Sequence, residues 1–173
     1  MINDGVTAVT INGGTFDLVS FAEEVTPAVN LTNAAIIGWS AGFLLSRGGF
    51  EAAGTNTISK GISVRAEGPN SGRFAITNEV TTVSGRIQTD NGSVQGISKT
   101  GAGTLILAGA NSYTGPTVLK SGTTIVSGSI ASGSVVRVGD SANPGATAIL
   151  GAPVLLAKST RRAAAPPFPR AIR

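Results

Sequence analysis

Nine carboxylates, thirteen basic side chains and one tyrosine make up the titratable side chains of this 173-residue chain, which has no histidine and no cysteine. Without histidine there is no Ser-His-Asp or Cys-His arrangement and no His-ligated zinc. Without cysteine there is neither a disulfide framework nor a thiolate metal site. What remains is carboxylate chemistry backed by arginine. Glu79, Asp90, Arg73 and Arg86 are the one set that stacked strands could gather on a single face, as a polysaccharide-cleaving site would require. Glu23 and Glu24 are adjacent, so on a strand their side chains diverge, and the pair reads as a solvated turn. Gly139-Asp140 stands alone, without the repeated glycine-aspartate pattern of a calcium-binding solenoid.

Glycine-rich KTGAGT (Lys99–Thr104) invites comparison with a phosphate loop. It lacks the Gly-Lys-Ser/Thr ending and the helix start that such a loop needs, so its glycines are expected to make turns. Threonine pairs at Thr55 and Thr57, Thr81 and Thr82, and Thr123 and Thr124 suggest ladders that could meet ice or a glycan. Their Thr-x-Thr element does not recur at a fixed period in the sequence. With one tryptophan and one tyrosine, the chain is short of material for an aromatic sugar platform. Trp39 is expected in the core or the cap of an N-terminal segment. No catalytic, cofactor-binding or metal-ligating residue is expected, and no enzymatic activity.

The elements that would position any such residue are strands. Glycine numbers 24 residues and charged residues make up only 13%, while the large apolar residues are mostly Val, Ile and Leu. That composition suits many short strands joined by tight glycine turns. Net charge is +4, but Lys158, Arg161, Arg162, Arg170 and Arg173 carry five of the thirteen positives, leaving residues 1–157 at −1. The basic balance is therefore a property of the tail, and no nucleic-acid partner is expected. MINDGVTAVTING lacks a basic segment followed by an apolar one, so no signal peptide is expected there. Ala34–Leu45 is too short and too interrupted by glycine to span a bilayer.

Strand-sized segments recur from Val6–Ile11 to Thr147–Leu150, several of them alternating with period two, as Leu105 and Leu107 do around Ile106. Phe21–Val25 could form a single helical turn, limited by Pro27. Closely spaced strands without helices exclude a βαβ sheet and leave a sandwich, a barrel or a solenoid. An internal echo decides among them. GTLILAG (Gly103–Gly109) lies over GTTIVSG (Gly122–Gly128) nineteen residues later, and recurrence at such a period marks stacked rungs. Leu105 and Leu107 should then sit above Thr124 and Val126 inside the coil, with the Thr124 hydroxyl bonded to a backbone carbonyl. Asn111 is expected to hold a left-handed corner, and Tyr113 to cover an edge of the coil.

The stretch KTGAGTLILAGANSYTGPTVLKSGTTIVSGSI resembles the autotransporter-associated β-strand repeat, also called the passenger-associated transport repeat. The resemblance rests on Lys99, Gly101, Gly103, Thr104, Leu105, Leu107, Gly109, Asn111, Tyr113, Gly115, Thr117, Val118, Gly122, Thr123 and Val126. Thr124 departs from the usual leucine, and Ile106 and Ile125 stand where small polar residues are common. The best match covers 99–128. The family implies an all-β, right-handed, single-stranded parallel β-helix in the passenger of a bacterial autotransporter. Such a passenger follows a signal peptide and precedes an outer-membrane β-barrel, and neither is evident in this chain.

The expected architecture is one β-helix of roughly seven rungs over residues 1–157, about 35 Å long at about 4.8 Å per rung. A basic Pro/Ala/Arg tail, 158–173, is expected to be disordered. The resemblance implies a structural passenger segment at the cell surface that supports secretion-coupled folding and adhesion. Its implied partners are neighbouring rungs, the outer-membrane barrel of a parent protein, and host or biofilm surfaces. The alternative is a polysaccharide-active or glycan-binding β-helix.

Overall fold

The computed structural model describes residues 9–20, 22–25, 28–38, 42–65, 71–89, 92, 94–139 and 145–151. Trp39, Asp90, Asp140, the start of the first expected strand and the 158–173 tail lie outside the described residues. The described chain is built of eighteen short strands without a helix. They climb in levels. The first holds β1 (Val9–Asn12), β2 (Thr15–Asp17) and β3 (Glu23–Val25). The second holds β4 (Val29–Thr32), β5 (Ala35–Ile37) and β6 (Leu44–Ser46), and the third β7 (Phe50–Ala53), β8 (Asn56–Ile58) and β9 (Ile62–Val64). The fourth has β10 (Arg73–Ile76), β11 (Val80–Val83) and β12 (Ile87–Thr89). Above it stand β13 (Ile97–Thr100) with β14 (Thr104–Leu107), β15 (Thr117–Leu119) with β16 (Gly122–Val126), and β17 (Val136–Val138) with β18 (Ala146–Leu150).

Each strand pairs in parallel with its counterpart one level away, giving sheets of seven, seven and four strands. The first face runs β1-β4-β7-β10-β13-β15-β17, the second β2-β5-β8-β11-β14-β16-β18, and the third β3-β6-β9-β12. This is a parallel β-solenoid of about six turns, so seven levels stack along its axis. The echo is an actual register: Thr104 lies on Thr123, Leu105 on Thr124, Ile106 on Ile125 and Leu107 on Val126.

Alternation supplies the core, because every second side chain of a strand points into the coil. On the second face Ile36, Ile58, Val83, Leu107 and Val126 stack in one buried column. On the first, Val29, Phe50 and Phe74 do the same, the two rings parallel with centroids 5.1 Å apart. Three elements escaped the sequence reading. Glu23–Val25, expected as a helical turn or solvated loop, is β3; Val29–Thr32 and Phe50–Ala53 are β4 and β7. Strands β8 and β9 are separated by a corner at Ser59–Gly61. Three-residue strands carry too little periodicity to announce themselves, and their pairing comes from the levels above and below.

Two kinds of glycine set the corners. Gly101 and Gly122 have φ of +82° and +68°, a left-handed geometry that side chains disfavour. Gly85, Gly109 and Gly128 are needed for close approach. A Cβ on Gly128 would strike the Gly109 carbonyl, and one on Gly109 would strike that of Gly85.

Candidate functional site: the repeat segment and the outward faces

The nine residues that connect β14 to β15, 108–116, leave little chain for a third side. Residues 110–116 cross that side outside the named strands, touching the next level through one parallel bridge, Ala110 to Ser129, and the level below through the Ser112 N–H donated to the Ile87 carbonyl at 2.8 Å. Side chains add to these few backbone bonds. Asn111 is only 4% exposed; its Oδ1 accepts from the Ile87 N–H at 2.9 Å. Its Nδ2 donates to the carbonyls of Gly109 at 3.1 Å and Ser129 at 2.9 Å, so one amide ties three consecutive levels. Positive φ among non-glycine residues occurs at Val19, Asn33 and Glu79. Asn111 is thus a buried bridge, and the left-handed asparagine corner belongs to Asn33.

Tyr113 is fully buried, with its hydroxyl 2.6 Å from Thr117 Oγ1. It fills the coil instead of covering an edge, and burial pushes the phenol up to about 12. Lys99 is also fully buried, in the column above Phe74 and below Leu119. Its Nζ donates to the carbonyls of Gly101 (2.6 Å), Ser121 (3.0 Å) and Thr100 (3.2 Å). Desolvation lowers its pKa to about 8. The ammonium satisfies carbonyls at the corner where Gly101 and Gly122 turn. Thr124 differs: its hydroxyl is buried and has no hydrogen-bond partner, so the expected bond to a carbonyl is not made.

The sequence singled out Lys99, Asn111 and Tyr113 without foreseeing that all three face inward. Two comparable residues lower in the coil escaped it. Asn56 accepts from the Ala34 N–H at 3.0 Å and donates to the Ala53 and Gly54 carbonyls. Lys60 is fully buried, and desolvation lowers its pKa against the opposing pull of Asp17. The available signal was their position: each is a polar residue on the inward parity of a short strand or at its end.

The described members of the acid-base set, Arg73, Arg86 and Glu79, stand apart from one another, and Asp90 lies outside the described residues. Arg73 opens β10 on the first face and pairs with Glu51 at 2.5 Å. Arg86 precedes β12 on the third face, donates to Gln88 and lies 5.3 Å over the Phe43 ring. Glu79 sits at the corner entering β11, its carboxylate accepting from Thr55 Oγ1 at 3.0 Å. Glu24, on β3, pairs with Arg47 and approaches Arg65 at 3.8 Å. A cavity of about 230 Å³ opens on the first face, lined by Ser71, Gln95, Ser98, Val94, Pro116 and Val118 among others, and among the described residues no titratable side chain lines it. Among the described residues no three metal-ligating side chains cluster, and no helix is long and apolar enough to cross a membrane. The threonine pairs divide: Thr81 and Thr124 are fully buried, whereas Thr55, Thr57, Thr82 and Thr123 face outward.

No curated protein and no solved structure matches the chain. One family model does, that of the passenger-associated-transport-repeat, over residues 97–126. Those residues are β13 to β16 with the crossing between them, the segment in which Lys99, Asn111, Tyr113 and Thr117 lock the coil from within. Residues 97–126 thus match the passenger-associated-transport-repeat model and are set as two levels of a longer β-solenoid.

Proposed function

We propose that this chain is a non-enzymatic scaffold segment of an autotransporter passenger, which folds outside the cell and presents its surfaces for adhesion. The observation that carries the reading is the inward placement of the repeat's own polar residues. Lys99, Asn111 and Tyr113 are spent on holding levels together, which supports architecture over chemistry as the reason for the repeat. A segment of this kind supports secretion by folding level upon level as it emerges, each completed rung offering the next a paired edge. In a full-length parent its partners are neighbouring rungs and an outer-membrane β-barrel.

Residues 1–151, placed between a signal peptide and an autotransporter barrel, should reach the bacterial surface as a protease-resistant unit. Removing residues 97–126 should leave it protease-sensitive or stalled. Equal display and equal protease resistance with and without those residues would overturn the reading.

A further inference from the structure

The outward side of the second face carries an array that the linear sequence hides. Thr104, Thr123 and Thr147 stand on one another in register, and beside them so do Ile106, Ile125 and Ile149. Below, Thr57 and Thr82 continue the isoleucine column. The next outward positions, Ser84, Ala108 and Ser127, are exposed and small. The three threonine hydroxyls take no hydrogen bond from the described protein. Parallel pairing sets these columns about 4.8 Å apart from level to level and about 6.6 Å apart along each strand. The result is a grid of hydroxyls and methyls anchored to a backbone ladder over a packed core.

The chemistry of the grid narrows its occupant. None of these residues is charged, which disfavours an anionic polymer or a polar protein partner steered by charge. None is aromatic, so a sugar ring has no platform to stack on. A second copy laid face to face would bury roughly 300 Å² per partner over five levels, well short of the roughly 800 Å² of an ordinary interface. A two-dimensional grid of hydroxyls and methyls suits a partner that is itself a lattice of hydrogen-bonding oxygens. We propose that the outward second face, centred on Thr104, Thr123 and Thr147 with their isoleucine column, is a docking surface for crystalline ice. The hydroxyls join the oxygen lattice while the isoleucine methyls order the water between them.

The test uses the purified full chain and ice alone. Wild-type protein should partition into a slowly grown ice hemisphere and restrain recrystallisation. Ile125→Lys and Thr123→Lys, on the face, should lower both at least tenfold, with circular dichroism unchanged. Thr123→Ser, which keeps the hydroxyl and loses the methyl, should lower them less. Val118→Lys, outward on the first face, should act as wild type. Exclusion of folded wild-type protein from ice would overturn the proposal, as would equal loss in Val118→Lys. Retention on insoluble cellulose or chitin without uptake into ice would overturn it too. Because the measurement involves no export, its failure leaves the passenger reading standing.

Discussion

The lower four levels and the upper three close the same coil by different means. Below, a third sheet of four strands completes each turn, and the interior is dominated by apolar columns, with Phe50 and Phe74 stacked at its centre. Above, from Ile97 onward, no strand of the described residues joins that sheet, and the side between β14 and β15 is held by the Asn111 amide and a few backbone hydrogen bonds, with Tyr113 and Thr117 inside. The column that carries Phe50 and Phe74 continues as Lys99. The connections from the second face back to the first differ accordingly: 11 to 14 residues run from β2 to β4, β5 to β7, β8 to β10 and β11 to β13, whereas 9 run from β14 to β15 and from β16 to β17. A shorter connection has too little chain for a third strand. Its buried backbone groups must still be satisfied, so polar side chains do what a ladder does elsewhere. The repeat is the sequence signature of that economy.

The comparison breaks most completely at Gly109, where both kinds of level meet. Gly109→Val should abolish the cooperative melt seen by circular dichroism, because its side chain is driven into the Gly85 backbone. Phe74→Ala, in the apolar half, should cost about 3–5 kcal/mol in a denaturant titration, through lost transfer energy and the cavity left behind. Asn111→Ala should cost about 1–3 kcal/mol by stranding the buried Ile87 N–H and removing the Nδ2 donor from the Gly109 and Ser129 carbonyls, which keep their backbone donors. Hydrogen exchange should show that loss concentrated in 97–138, with amides of 29–64 less affected.

Alkaline pH sharpens the contrast. Lys99 is lowered to about 8 in the fold from 10.5, so between those values the unfolded chain binds more protons. Stability therefore rises with pH across that window, and its contribution is lost again as pH falls through 8. Tyr113 acts in the opposite sense: its phenol is raised from 10.0 to about 12, so its contribution is full below 10 and is lost as pH rises through 12. Thermal melts should pass through a maximum near pH 10. Lys99→Met should reduce the rising limb, and Tyr113→Phe should soften the falling one. Lys60 shifts in the same direction as Lys99, so the rising limb is shared by both halves, while the loss above pH 10 belongs to the upper one. The smallest effect is a gain: Thr124→Val should add about 1 kcal/mol by removing an unsatisfied buried hydroxyl.

Within the repeat, much was legible from residues alone. The glycine frame of GTLILAG and GTTIVSG announced both the rung and its register, because equivalent corners demand equivalent residues at equal chain distance. β3, β4 and β7 were not legible, since three or four residues rarely show a period. Asn111 and Tyr113 were expected at a corner and at an edge of the coil, and both are buried inside it. A polar side chain on a strand has two possible faces, and its type argues for the wet one.

Local chemistry thus settled the class of structure: an all-strand coil with glycine corners, no thiol or imidazole chemistry, and a passenger-type repeat near its middle. Packing settled direction. Which of two adjacent threonines is buried, where an ammonium finds three carbonyls, and which distant residues line up as a grid all depend on the register between levels. The pairing of Thr104, Thr123 and Thr147 is the plainest case. Their separations of 19 and 24 residues share no period, and only the stacking of unequal rungs brings them into one column.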